Sequence, residues 1–190
     1  MADFDGYVIV DIESTGLDPD IDQILELGIL VADKNFSILG EFSEVAYFDL
    51  ELQRPGINDF VIDMHTKNGL WEECKASRTS LAGLTVDAIH FLEGGEWTNQ
   101  PMCGSTIQFD RSFISQYMPK LNAKFHYRHI DVSSFKNVWA KYDWPTWNTG
   151  YQAGKTHRSL PDCRDTLDEL KRYVRRIEEW RDQASFDGPW

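Results

Sequence analysis

The sequence predicts an α/β domain folded around a mixed sheet. Three observations carry this expectation. The first 48 residues hold three strand-like runs joined by short turns, the pattern of an antiparallel meander. Beyond them, helical periods alternate with short apolar runs that end in small or polar residues. The 190 residues show no internal repeat, low-complexity segment or linker, which suits a single domain over residues 1–181 with a short tail at 182–190.

Tyr7–Glu13 is the first expected strand, opening on the apolar run Tyr7-Val8-Ile9-Val10. Such a run suits a strand buried on both faces. Gln23–Ala32 is the second, Asp33-Lys34-Asn35 a turn, and Ser37–Phe48 the third strand region. A short helix is expected over Asn58–Asn68, stopped by Gly69. Leu81, Leu84, Ala88 and Phe91 recur at helical spacing within Thr79–Leu92, and Gly94-Gly95 ends that helix. Pro101–Gly104 reads as a short strand, and Asp110–Met118 as a helix with Phe113, Ile114 and Tyr117 on one face and Pro119 past its end. Arg128–Val132 is a short strand leading into a helix over Ser133–Tyr142. A Trp-, Pro- and Gly-rich loop spans Asp143–Lys155, and a last helix runs from Pro161 to Trp180 with Leu167, Leu170, Val174 and Ile177 inward.

Composition narrows the class. With 42% hydrophobic and 13% aromatic residues the chain has the means to fold into a globule. No run approaches the ~18 apolar residues of a membrane span, and the N-terminus lacks the basic and apolar regions of a signal peptide. The three cysteines, Cys74, Cys103 and Cys163, form no CxxC pair. That argues against a disulfide framework or zinc site and for a cytoplasmic protein with core cysteines. The net charge of −12 opposes binding to a long duplex. It is unevenly spread: residues 1–110 carry 5 basic and 21 acidic side chains, whereas residues 111–181 carry 14 basic and 8 acidic. An acidic half that can hold metal precedes a basic half that can hold a few phosphates.

Asp11 and Glu13 lie two residues apart on a strand, so both point to one side of the sheet. Aligned acids at the end of an apolar strand need a counter-charge, and a divalent cation is a natural one. Alone, such a pair also fits a solvated acidic turn. Asp110 follows a strand and a small-residue turn, where it is aimed at a cleft or simply favoured by the helix dipole. His157 and Asp162 sit at a loop-to-helix junction, with Pro161 suited to the first helical position. Ser159-x-x-Asp162 also resembles a capping box.

Asp-x-Glu, a distant Asp, and His-x4-Asp opening the last long helix resemble, in this order, the DEDD 3′–5′ exonuclease superfamily in its histidine variant, DEDDh. Asp11-Ile-Glu-Ser-Thr-Gly-Leu-Asp-Pro19, Gln23-Ile-Leu-Glu-Leu27, His65-Thr66 with Gly69-Leu70, Phe125-His-Tyr-Arg-His-Ile-Asp-Val-Ser133 and Lys155-Thr-His157 are similar to the oligoribonuclease family. The resemblance spans roughly residues 5–178. It implies a ribonuclease H-like fold, a mixed five-stranded sheet flanked by helices on both sides. It also implies hydrolysis of very short RNA, mainly 5′-phosphorylated dinucleotides, with two divalent cations, Mg²⁺ or Mn²⁺.

Under the resemblance Asp11 bridges both cations. Glu13 and Asp162 complete one site, and Asp110 supports the other, partly through water. His157 is the general base, its ordinary pKa of ~6.5 suited to neutral pH. Leu17 wedges between two bases and Phe60, where the family usually has Trp, stacks on one. His65 contacts the substrate backbone, while Thr106 (a serine in the family), Arg128 and Ser133 cap a 5′ phosphate. Tyr127 reaches the other subunit of a homodimer. Two alternatives stand beside this: a broader exonuclease on single-stranded RNA or DNA, and a module that binds short nucleotides without cleaving them.

Overall fold

The computed structural model describes residues 4–53, 56–141 and 156–183. Its strands are β1 (Gly6–Ser14), β2 (Ile24–Asp33), β3 (Ile38–Val45), β4 (Pro101–Gly104) and β5 (His126–Asp131). They form one sheet in the order β3-β2-β1-β4-β5. The first three make the expected antiparallel meander, and β4 and β5 add in parallel on the far side of β1. Between β3 and β4 come α1 (Leu50–Gln53), α2 (Asp59–Lys67), α3 (Leu70–Ala76) and α4 (Leu81–Gly94). Helices α5 (Gln108–Tyr117) and α6 (Pro119–Asn122) join β4 to β5, and α7 (Val132–Lys141) and α8 (Ser159–Gln183) follow. The expected loop at 143–155 and the tail from 184 onward lie outside the described residues.

The period-two alternation of β1 divides the core into two layers. Val8, Val10 and Ile12 face one side, where they pack with Leu84, Ala88 and Leu92 of α4 and Phe113 and Ile114 of α5. Ile9 faces the other, with Val132 and Trp139 of α7 and Cys163, Leu167, Leu170 and Tyr173 of α8. Asp11 and Glu13 share the parity of Ile9, so they emerge on the α8 side, just beyond the apolar layer.

On that side Gly28 of β2 lies opposite Asp11, and Glu26 opposite Glu13. Gly28 is what lets the start of α8 come down onto the sheet. A Cβ there would lie 2.8 Å from the Ser159 carbonyl carbon and 2.9 Å from the Leu160 nitrogen, both backbone atoms. Gly28→Ala is therefore expected to destabilise the fold by about 1–3 kcal/mol through overpacking, which urea melts would show.

Several elements depart from expectation. The third strand ends at Val45, because the chain then leaves the sheet: Tyr47 N–H donates to Thr79 O and Phe48 N–H to Cys74 O. Phe48 packs there with Leu25, Leu70, Trp71 and Cys74, a small core that the unexpected α3 completes. β5 starts at His126, two residues early, with little apolar content. Its backbone pairs with β4 and is also held by Arg111 of α5, whose guanidinium donates to the carbonyls of His126, Tyr127 and Arg128. Helix α8 begins at Ser159, and the Arg158 carbonyl accepts its first helical hydrogen bond, from Asp162 N–H. Ser159 is thus inside the helix and no capping box forms. The Ser159 N–H donates to Glu26 Oε2 at 3.1 Å, so a carboxylate from β2 caps the positive end of α8. Pro161 sits in the first turn, where its missing N–H breaks no helical bond.

Candidate active site

β1 pairs with β4 only through Val8 and Ile9. Beyond that point its backbone needs other partners. Ile12 N–H donates to Asp110 Oδ1 at 3.0 Å, both groups buried. This bond fastens the first turn of α5 to the strand carrying Asp11 and Glu13. With α8 brought down over Gly28, Asp162 arrives on the same side. Asp11, Glu13, Asp110, His157 and Asp162 line one cavity of about 340 Å³, together with Leu17, Ser105, Thr106 and Phe109. The ligand atoms of Glu13, His157 and Asp162 lie within 4.8 Å of one another.

So many acids in one buried place repel each other. Burial above all, then Asp162, Glu26 and Asp110, push the Glu13 carboxyl up to about 8, while Arg158 opposes them. Beneath the acids lies Cys163, whose Sγ sits 3.6 Å from Gly28 O. Burial raises its thiol well above the ordinary value, with Asp11, Asp110 and Asp162 adding to the effect, so it is neutral. The donor set fits divalent cations: hard carboxylate oxygens, one imidazole, and excess negative charge that a cation would neutralise.

A second cleft of about 580 Å³ adjoins the first and shares Ile12, Glu13, Leu17, Phe109 and His157 with it. Its walls carry Leu17, 82% exposed, and Phe60, 70% exposed. The turn bearing Leu17 is held by Asp22, which accepts from the Thr15 hydroxyl at 2.9 Å and from Asp18 N–H at 3.0 Å. Asn58 caps α2 by accepting Phe60 N–H at 2.8 Å. On the opposite flank, Ser133 Oγ lies 3.0 Å from Ser105 Oγ and 3.1 Å from Thr106 Oγ1. Asp131 Oδ1 accepts from both Thr106 N–H and Ser133 N–H, which fixes that group of hydroxyls.

Three expected residues lie elsewhere. His65 is fully buried behind Glu13, its Nε2 3.2 Å from Ser14 O and 3.8 Å from Glu13 Oε2. The carbonyl must accept, so Nε2 carries the proton. Burial first, with His157 and Arg158 assisting, lowers its pKa against the pull of Ser14 and Glu26, which keeps the ring neutral. Tyr127 and Arg128 sit exposed on edge strand β5, the guanidinium 5.3 Å from the Tyr127 ring centre, and neither lines either cavity.

Sequence reasoning missed Glu26, Glu73, Asn68, Asp22 and Arg158 as parts of the site's frame. A signal for Glu26 was present, since an acid inside the apolar run Ile24–Ala32 needs a partner. Its partner is Arg158, whose Nε and Nη2 bind the Glu26 carboxylate at 3.0 and 3.1 Å. Nothing local connects positions 132 residues apart.

Comparison with known proteins bears on the family and the fold. The family model described as Exonuclease matches residues 8–170. The oligoribonuclease of Actinobacillus succinogenes is 36% identical over 174 residues, covering 90% of this chain and 94% of the relative. That of Haemophilus influenzae is 35% identical over 174 residues, with the same coverage. Among solved structures, the zinc-bound E. coli exonuclease I–ssDNA complex superposes with a TM-score of 0.69 at 13% identity, over 94% of this chain and 42% of that one. Exonuclease I of Methylocaldum szegediense does so with a TM-score of 0.66 at 14% identity, over 90% of this chain and 40% of that one. This chain thus spans less than half the length of those nucleases, and the likeness is one of fold, the ribonuclease H-like arrangement of sheet and helices. From the family match and the extent of the relatives' similarity, the chain belongs to the oligoribonuclease family of exonucleases.

Proposed function

We propose that this 3′–5′ exoribonuclease hydrolyses very short RNA, mainly 5′-phosphorylated dinucleotides, to 5′-mononucleotides with two divalent cations, Mg²⁺ or Mn²⁺. The observation that carries the reading is the convergence of Asp11, Glu13, Asp110, His157 and Asp162 on one cavity beside an apolar-walled cleft. Asp11 would hold both cations, Glu13 and Asp162 one of them, and Asp110 the other. When bound, the cations make water a stronger nucleophile and stabilise the charge that develops on the phosphate and leaving oxygen. His157 takes the proton of the attacking water. Leu17 separates the two bases and Phe60 stacks on one. His65 backs the substrate wall from behind Ser14. Thr106 and Ser133 bind the 5′ phosphate with Arg128, which stands exposed on β5. Tyr127 contributes across a homodimer. Three buried, unpaired cysteines among the described residues suit a cytoplasmic setting. Among the described residues no helix is long and apolar enough to cross a membrane.

The exposed position of Arg128 also supports a second reading, in which the phosphate end stays open and longer single strands enter. Hydrolysis of 5′-phosphorylated RNA of two, three, five and ten residues, with Mn²⁺ and with EDTA, separates the two. The dinucleotide is expected to exceed the decamer by at least about tenfold in kcat/KM, or 1.4 kcal/mol in barrier. EDTA is expected to abolish cleavage. Equal rates at all lengths would favour the broader exonuclease, and tight dinucleotide binding without turnover in Mn²⁺ would favour a binding module.

A further inference from the structure

His157 stands in a backbone conformation that residues with side chains seldom adopt, with φ of +49°. Such a conformation is strained and persists only where the surroundings enforce it. The enforcement comes from both sides. On one side, the Asn68 amide, at the end of α2, donates to His157 O at 2.6 Å and to Thr156 O at 3.2 Å. The same amide nitrogen lies 3.5 Å from His65 Nδ1, the ring nitrogen left free to accept. Asn68 Oδ1 accepts Leu70 N–H at 3.0 Å, which ties the amide to the first turn of α3.

On the other side, the Arg158 guanidinium is shared between two carboxylates. It binds Glu26, 2% exposed, on β2 and Glu73 on α3, the latter through Nη1 and Nη2 at 2.7 and 2.6 Å. Glu26 also accepts Ser159 N–H, so Arg158 and Ser159, the two residues after His157, are held to one carboxylate. A planar fork held by two carboxylates is far more directional than an ammonium would be.

We propose that Asn68 and Arg158 are positioning residues for His157, clamping the backbone before and after it so that its ring faces the acidic cavity. The clamp has a structural consequence for substrate. Helix α2 offers Phe60, Val61 and Met64 to the substrate cleft and ends at the Asn68 clamp. The element that seats the substrate is therefore the element that holds the base. This rests on the reading of His157 as the group that takes the proton from water.

The test is a double-mutant cycle on single-turnover cleavage of a 5′-phosphorylated diribonucleotide in Mn²⁺. Asn68→Ala is expected to lower the cleavage rate by about 10- to 100-fold, with KM within about threefold of the parent. In the His157→Ala background the same substitution is expected to change the residual rate by less than about twofold, because it acts through the missing ring. Arg158→Lys keeps a cation beside buried Glu26 but loses the fork, and it should reproduce the pattern even where Asn68→Ala folds poorly. An equal fall in both backgrounds, or a raised KM at unchanged rate, would overturn the proposal. Full activity in His157→Ala alone would remove the reading beneath it, and the single variant makes that outcome separately visible.

Discussion

Asp162→Asn is expected to lower kcat on a 5′-phosphorylated diribonucleotide by at least about 10³-fold, ~4 kcal/mol in barrier, and yet to stabilise the metal-free chain. The substitution keeps shape and removes one charge. Asp162 is buried in the first turn of α8 with its carboxylate close to Glu13 and His157. Their ligand atoms lie within 4.8 Å of one another, and two ionised carboxyls at such a separation repel by about 3–4 kcal/mol at an effective dielectric of 20. The favourable helix dipole that Asn forfeits is worth only about 0.5–1 kcal/mol. Repulsion wins, and a net gain of about 1–3 kcal/mol should appear in EDTA at pH 8.5, above the value of about 8 at which Glu13 titrates. Thermal melts in EDTA and single-turnover kinetics read the two halves. Near-parental hydrolysis by Asp162→Asn or Asp11→Ala would refute the metal-dependent reading of the cavity.

The second large effect is a pH-dependent stability of the metal-free protein. The Glu13 carboxyl titrates at about 8 in the fold against 4.5 ordinarily, chiefly because burial disfavours its charged form. Between those values the folded chain keeps a proton that the unfolded chain has released. Stability therefore falls as pH rises through this window, by up to about 1.4 kcal/mol per unit, and levels off above pH 8. A divalent cation reverses the trend by binding the charged form and displacing the proton. Urea melts at pH 5.5, 7 and 8.5 should show declining stability in EDTA and a flatter profile in Mg²⁺ or Mn²⁺. A metal-free profile that rises from pH 5.5 to 8.5 would contradict the crowding of these acids around Glu13.

The two effects have one origin. The acidic cavity is unfavourable on its own and would become favourable with bound divalent cations, an exchange of stability for function. The Glu26–Arg158 pair works in the opposite sense. It places a cation beside the acids without lining the cavity, and Arg158 lowers the pKa of Glu13.

The sequence by itself determined the parts that follow from local periodicity and local chemistry. Period-two alternation placed Asp11 and Glu13 on one side of β1, and the meander of β1, β2 and β3 followed from three runs with short turns. The order of four acids and a histidine pointed to the family because it is linear information. Only the tertiary structure decided what depends on partners far away in the chain. β5 is a strand because it pairs with β4 and Arg111 holds its first carbonyls, not because its side chains are apolar. Asp110 is fixed by an amide of β1, 98 residues away. Helix α8 starts where Glu26 caps it and Gly28 admits it, which no pattern within residues 157–162 could show. The clamp around His157 likewise joins Asn68, Glu73, Glu26 and Arg158 from three separate stretches. Hydrogen bonds and close backbone approach depend on distances of a few tenths of an ångström, and those exist only once the two layers have packed on the sheet.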